Sequence, residues 1–307
     1  MVKAVYAILF IFTFGVLAAF AQDNNSMSNW MFDPYEPYAI TEEFLQNERI
    51  CILGDTGTGT SRQLRVAKAL AQENCTQVRI TGDVIYGRGI SSPQDSQLQK
   101  KFFKPYAELL NQNIPFYLVM GNHDYLKKPR AWIEVARNHP LIHFPNLWYV
   151  ENYGGLCFFN LDSNKNFTEQ STWLNEMYNN MNCKKKIGLA HHPYKSMGSH
   201  GNASTRVRKF LRPNVIGKLD AYITGHDHNL AYEGAIGGTE LFVSGAGAKL
   251  RSLSKSPKEG EWGVSRLGYL IFEPYMTKES KEIFVRYAFK ALVGESSQSE
   301  TLFTGEF

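Results

Sequence analysis

Five stretches of this chain place a hard or imidazole ligand at the end of an apolar run. Gly54-Asp55 follows Ile50–Leu53, Gly82-Asp83 follows Val78–Thr81, and Gly121-Asn122-His123-Asp124 follows Phe116–Met120. His191-His192 follows Ile187–Ala190, and Gly225-His226-Asp227-His228 follows Ala221–Thr224. Carboxylates gathered in one small site cannot all remain ionised without a compensating charge. Mixed carboxylate, amide and imidazole donors suit iron, zinc or manganese better than calcium. Gly54 to Ser61 also fits most of the phosphate-cradling pattern G-x-x-x-x-G-K-[ST], but Thr60 stands where the lysine must be. Without that lysine a nucleotide loop has nothing to meet the phosphates, so Asp55 reads with the metal-type donors.

The surrounding segments alternate short apolar runs with amphipathic ones. Helices are expected over Ser61–Glu73, Asp95–Asn111, Ala131–Asn138 and Glu169–Met181. Strands are expected over the five runs above and over Leu156–Leu161, Leu230–Glu233, Glu240–Ser244, Tyr269–Glu273 and Ile283–Phe289. This is the pattern of an α/β protein with strands buried on both faces. In such sheets ligands bind beyond the carboxyl ends of the strands, and glycine there permits a sharp turn and close approach.

The 307 residues suffice for one large domain or two small ones, and the net charge of +4 is scattered, which argues against a nucleic-acid partner. Lys3 precedes an apolar run, Ala4–Phe20, that ends in Ala19-Phe20-Ala21. This reads as a secretory signal cut after Ala21; the alternative is an uncleaved anchor near the short limit of about 17 residues for a span. The expected divisions are a signal at 1–21, a lead-in at 22–48, the main domain at 49–292 and a loose polar tail at 293–307. Export, whether secreted, periplasmic or lumenal, permits disulfides. None of Cys51, Cys75, Cys157 and Cys183 forms a C-x-x-C pair. Cys51 and Cys157 read as small buried hydrophobes, and Cys183 as able to pair with a partner left open. N-x-[ST] sequons begin at Asn24, Asn74, Asn166 and Asn202.

The five blocks GDTG, GDVIY, GNHD, AHHP and GHDH, in that order, together with VSGAG, resemble the calcineurin-like metallophosphoesterases, and within them the purple acid phosphatases of the small tartrate-resistant type. The likeness runs from about Ile50 to Ala248. It implies a four-layer α-β-β-α sandwich, two mixed sheets flanked by helices. It also implies a binuclear centre: Fe(III) held by Asp55, Asp83, Tyr86 and His228, and a second divalent metal (Fe, Zn or Mn) held by Asn122, His191 and His226, with Asp83 bridging. His123 and His200 match the positions that meet substrate phosphate and leaving group. His192 would support the ligands, and Asp124 and Asp227 would orient histidines. Outside the resemblance, Tyr86 would be a packed aromatic and His200 a solvent-facing loop residue.

The function implied is an exported acid phosphatase that hydrolyses phosphate monoesters in one step, with hydroxide readied at the ferric ion attacking phosphorus and His123 and His200 protonating the leaving oxygen. It would act as a monomer on a phosphate ester, with no nucleic-acid scaffold and no membrane span once the signal is cut. The relatives carry an insertion over the site after the strand that ends near Asp162; only Ser163 to Thr168 stands there in this chain, so activity without proteolysis is expected. The alternatives are a phosphodiesterase or nucleotidase on the same centre, a secreted binding protein without catalysis, and peroxide-driven redox chemistry.

Overall fold

The computed structural model describes Leu45 and residues 47–307. The expected signal at 1–21, almost all of the lead-in at 22–48 and the Asn24 sequon lie outside the described residues.

Period-two burial sorts the strands into layers. In β1 (Ile50–Leu53), Ile50 and Ile52 face one apolar cluster while Cys51 and Leu53 face another. β6 (Leu156–Asn160) does the same, with Leu156 and Phe158 on one side and Cys157 and Phe159 on the other. A strand buried on both faces needs a layer on each side. The inner layer is the meeting of two seven-stranded sheets, and helices such as α1 (Ser61–Leu70) cover an outer one through Val66, Ala67 and Leu70. This is the expected four-layer sandwich.

One sheet runs β14-β13-β12-β1-β2-β3-β4, the other β11-β9-β10-β8-β7-β6-β5. β1, β2 (Gln77–Thr81), β3 (Phe116–Val119) and β4 (Ile142–His143) are mutually parallel. In the second sheet β6, β7 (Lys185–Leu189), β8 (Ala221–Thr224) and β10 (Thr239–Ser244) are parallel. The remaining strands add antiparallel flanks: β5 (Tyr149–Tyr153), β9 (Leu230–Ile236) and β11 (Trp262–Val264) on the second sheet, and β12 (Gly268–Met276), β13 (Ile283–Leu292) and β14 (Ser299–Glu306) on the first. The five ligand-bearing junctions follow β1, β2, β3, β7 and β8, all at the carboxyl ends of parallel strands.

Cys51 and Cys157 depart from expectation, whereas Cys183 pairs as expected. Cys51 is bonded to Cys75 and Cys157 to Cys183. Each bridge joins the first strand of a strand–helix–strand unit to the segment entering the second, across 24 and 26 residues. Closing loops of that length contributes about 3.5 kcal/mol each in the chain-entropy account. Two other segments differ. Asp95–Asn111 is no single helix: a π-helical turn at Gln99–Phe103, closed by the Lys104 amide on the Gln99 carbonyl at 2.9 Å, interrupts it. Thr205–Asn214 is a helix that was not anticipated; the Ser204 side chain caps it, and Val207, Phe210 and Leu211 are buried.

The polar tail is not loose. Residues 299–306 form β14, and Phe303 stacks on Trp262 with centroids 5.2 Å apart. Ser299 is also tied to a buried acid. Glu73, 7% exposed, takes Ser299 Oγ and Tyr269 Oη at 2.8 Å each and Arg49 at 2.9 Å, and pairs with Lys290. One carboxylate therefore pins β12, β13 and β14 to the end of α1. Between the sheets, buried Arg79 on β2 pairs with Glu151 on β5 at 2.9 Å and lies 3.6 Å from the Phe158 ring centroid.

Burial raises the Glu73 pKa, but Lys290, Tyr269, Arg49 and Ser299 outweigh it and bring it from 4.5 to about 2. A folded pKa below the unfolded one contributes stability above the unfolded value that disappears as pH falls through the folded value. The shift corresponds to about 3 kcal/mol. Glu73→Gln is expected to cost about that much at pH 7 in urea unfolding, with the gap to wild type closing between pH 4.5 and 2. An equal gap at both pH values would contradict the account.

Candidate metal centre

Each ligand-bearing junction begins where a parallel strand ends and the chain must turn at once. Asp55, Asp83 and His226 adopt positive φ, at 59°, 50° and 68°, a conformation that costs a non-glycine residue energy. Each follows a glycine, and the glycines leave room for the donors. A Cβ on Gly121 would lie 2.1 Å from Asp83 Oδ1, and one on Gly225 would lie 2.5 Å from Asp55 Oδ2. The turns swing the donors inward, where the backbone can hold them: the His226 amide donates to Asp55 Oδ2 at 2.7 Å and the His123 amide to Asp83 Oδ1 at 2.9 Å.

Two groups of donors result. In the first, Tyr86 Oη donates to Asp55 Oδ1 at 2.6 Å and lies 3.0 Å from His228 Nε2, which is 3.4 Å from Asp55 Oδ1. In the second, Asn122 Oδ1 lies 3.0 Å from His191 Nε2 and 3.1 Å from His226 Nδ1. Those two nitrogens are 3.3 Å apart, and Asp83 Oδ1 is 3.5 Å from His191 Nε2. Ligand atoms of Asp55, Asp83 and His191 all fall within 4.8 Å of one another, so the groups adjoin.

The second group has more lone pairs than protons. His191 Nδ1 faces the Thr81 carbonyl at 2.9 Å, and a carbonyl only accepts, so Nδ1 carries the hydrogen. Nε2 then turns a lone pair toward an amide oxygen, a carboxylate and a second imidazole. Burial lowers the His191 pKa, but the Asp83 and Asp55 charges outweigh it and raise it overall. A histidine drawn toward protonation in this way marks a pocket short of positive charge. Burial would also raise Asp55, yet the hydrogen bond from His228 and the charges of His191 and His228 hold it below its usual value. Tyr86 is pushed well up by burial and by the Asp55 and Asp83 charges, so a proton stays on its oxygen unless a stronger cation replaces it. Burial and neighbouring histidines lower His226, which stays neutral and able to donate its lone pair. The donor set fits a pair of cations.

The remaining expected residues surround this cluster, in roles that differ in part from expectation. Asp124 orients no histidine. Its carboxylate accepts from the amides of Val84 at 3.0 Å, Ile85 at 3.1 Å and Gly121 at 2.9 Å, which locks the Asp83 loop to the Asn122 loop. Asp227 acts on His200 through the backbone, accepting its amide at 2.7 Å, and holds the same loop through Ser196 Oγ. His192 Nδ1 lies 2.8 Å from Ser163 Oγ, and burial with the His191 charge lowers its pKa to about 3. The His123 ring leans on Tyr86 with centroids 4.7 Å apart, its Nδ1 3.0 Å from the Gly87 carbonyl. His200 stacks on His226 at 4.4 Å at the rim, where it is exposed to solvent. His139 and His143, outside the motifs, stack on Phe103 and Tyr117 away from the cluster.

Sequence reasoning missed Ser163, whose Oγ accepts the amides of His191 at 3.2 Å and His192 at 3.0 Å. Its signal was present, because it follows the end of β6 as the ligands follow other strands, but no glycine marks it. It also missed Lys249 and Arg251, which trail β10 with no motif letter.

Residues 48–230 match the family of calcineurin-like phosphoesterases. Among curated proteins, the chain is similar to tartrate-resistant acid phosphatase type 5 of Sus scrofa, 25% identical over 218 residues that cover 61% of this chain and 64% of that protein. Purple acid phosphatase 3 of Arabidopsis thaliana is 28% identical over 230 residues, covering 64% of this chain and 62% of that protein. The chain thus spans less than two thirds of the length of these relatives. Among solved structures, GAP50, the anchor in the inner membrane complex of Plasmodium, aligns with a TM-score of 0.69 at 20% identity, covering 84% of this chain and 87% of that one. A dimetal phosphatase from Danio rerio aligns with a TM-score of 0.52 at 12% identity, covering 83% and 98%. Both are likenesses of fold.

Because a Cβ on Gly121 would also lie 2.2 Å from the Asp83 amide, Gly121→Ala must displace Asp83. The expected outcome is a loss of about 1–3 kcal/mol in thermal or urea unfolding and a fall in metal retained through gel filtration. Wild-type metal content with unchanged unfolding would contradict this.

Proposed function

The chain belongs to the calcineurin-like phosphoesterases, and from that premise and the donor geometry we propose that it is an exported acid phosphatase, acting on phosphate monoesters at a centre of Fe(III) and a second divalent metal (Fe, Zn or Mn). The observation that carries the reading is the adjacency of the two donor groups, with Asp83 beside the second and Asp55 within 4.8 Å. Asp55, Asp83, Tyr86 and His228 would hold the ferric ion, and Asn122, His191 and His226 the other, Asp83 serving both. The protonated phenol of Tyr86 pointing at Asp55 supports its reading as a ligand, since loss of that proton turns the oxygen into an anionic donor. Two such ions, when bound, supply the Lewis-acid charge that phosphoryl transfer to water requires.

The chain's own groups do the rest. The Thr81 carbonyl fixes His191 in the tautomer that donates through Nε2, and Asp124 keeps the two ligand loops in register. His123, anchored at Nδ1 by the Gly87 carbonyl, leaves Nε2 to meet a phosphate oxygen or hand a proton to the leaving group. His200, hung from Asp227 by its amide, stands at the rim for the same task. Two disulfides support export, and among the described residues no helix is long and apolar enough to cross a membrane. Only residues 161–166 connect β6 to the helix at Phe167–Asn180, which supports a site open to bulky esters without proteolysis.

The direct test compares p-nitrophenyl phosphate with bis(p-nitrophenyl) phosphate near pH 5 on iron- and zinc-loaded protein. Hydrolysis of the monoester should dominate and fall on the order of 100-fold or more in Asp83→Asn. Faster diester turnover would favour the phosphodiesterase reading, and metal binding without hydrolysis the non-catalytic one.

A second expectation concerns pH. Burial and then the Arg251 charge lower the His200 pKa, against the pull of Asp227. A lowered pKa confines the protonated form to more acid solution, so activity that needs it declines early as pH rises. Arg251→Met removes one depressing cause and should move the alkaline limb of kcat/KM to higher pH. A limb that stays in place would exclude His200 as the group that titrates there.

A further inference from the structure

Beyond β10 the chain passes directly under the candidate centre. The Gly245 amide donates to the Asn229 carbonyl at 3.0 Å and the Gly247 amide to the Gly54 carbonyl at 3.1 Å, which threads this segment between the Asp55 and His228 turns. A Cβ on Gly245 would lie 2.8 Å from Asp55 Oδ2, so the passage is tight. It delivers Lys249, whose Nζ stands 4.0 Å from the centroid of the Tyr86 ring. Tyr86 is 7% exposed, its hydroxyl committed to Asp55 and His228. Lys249 forms no ion pair among the described residues, so its charge serves no carboxylate there. A half-buried ammonium directed at a buried aromatic face, with no salt bridge to explain it, acts on that ring.

We propose that Lys249 tunes Tyr86 electronically, its ammonium drawing down the energy of the ring's donor electrons and so weakening Tyr86 as an electron donor to the ion it holds. The inference rests on the reading of Tyr86 as a ligand to ferric iron. The physical step is short. An ammonium over a neutral phenol is held by the ring quadrupole, and over a phenolate by a full charge as well. The cation therefore stabilises the ionised ligand. It acts on the ring more than on an ion lying beyond the phenol oxygen, which widens the gap between ligand and metal levels. Tyrosinate-to-iron absorption then falls at shorter wavelength than it would without the lysine, and the iron is easier to reduce. No neighbour in the GAGAKLR stretch supplies a substitute: Leu250 is apolar, and the Arg251 charge bears on His200.

The test uses the full chain loaded with iron, as wild type, Lys249→Met, Lys249→Arg and Tyr86→Phe, with iron content measured on each. The expected result is a visible band in wild type that is absent in Tyr86→Phe, displaced to longer wavelength in Lys249→Met at equal iron content, and close to its wild-type position in Lys249→Arg. The reduction potential should fall in Lys249→Met and not in Lys249→Arg. A band unmoved in Lys249→Met at full iron content overturns this inference and leaves the ligand reading standing. No visible band in wild type, or one that persists in Tyr86→Phe, overturns the ligand reading and this inference with it.

Discussion

Too many lone pairs converge in too small a space, and the rest of the structure answers to that. Asp55 and Asp83 are buried carboxylates whose ligand atoms, with a ring nitrogen of His191, lie within 4.8 Å of one another. His191 has its one hydrogen committed to Thr81, and Asn122 turns its oxygen inward. Proteins do not keep buried acceptors facing one another unless a donor or a cation answers them. In the metal-free chain the Tyr86 proton partly does so, and His191 is drawn toward taking a second hydrogen. Metal ions would do so fully, which is the ground for reading the cluster as a metal site.

The fold sustains that crowding through rigidity. Strands buried on both faces end at one rim, and two disulfides hold a strand–helix–strand unit on each sheet. Positive φ at Asp55, Asp83 and His226 is local strain of the kind that persists only where the surroundings dictate it. Asp124 is the clearest of those surroundings. It spends its carboxylate on three amides, from Val84, Ile85 and Gly121, and, among the described residues, none on a side chain. With these loops fixed in advance, little conformational freedom is left to lose when an ion enters.

What could be read in the chain follows from what repeats in it. A donor at the end of an apolar run, behind a glycine in four of the five cases, is a local signal, and it located Asp55, Asp83, Asn122, His191, His226 and His228, which the structure brings together. Tyr86 needed the family resemblance, since an aromatic after a turn says nothing by spacing alone. Tertiary signals were invisible. The pairing of Cys51 with Cys75 depends on which strands adjoin, and β14 reads as a serine-rich tail because the groups that anchor its side chains, Trp262 for Phe303 and Glu73 for Ser299, are distant in sequence. The Thr205–Asn214 helix was overlooked because its basic residues mask Val207, Phe210 and Leu211 at helical spacing. Asp124 was misjudged because its neighbours in sequence are ligands, whereas its partners in space are amides.

The central claim is that this rim holds two cations, sharing Asp83. The most direct measurement is anomalous X-ray diffraction from crystals of the iron- and zinc-loaded protein, collected at the absorption edges of both metals. The account predicts two peaks, one contacting Asp55, Tyr86 and His228, the other Asn122, His191 and His226, with Asp83 contacting both. A single peak at full loading, or peaks remote from Asp83, would contradict it.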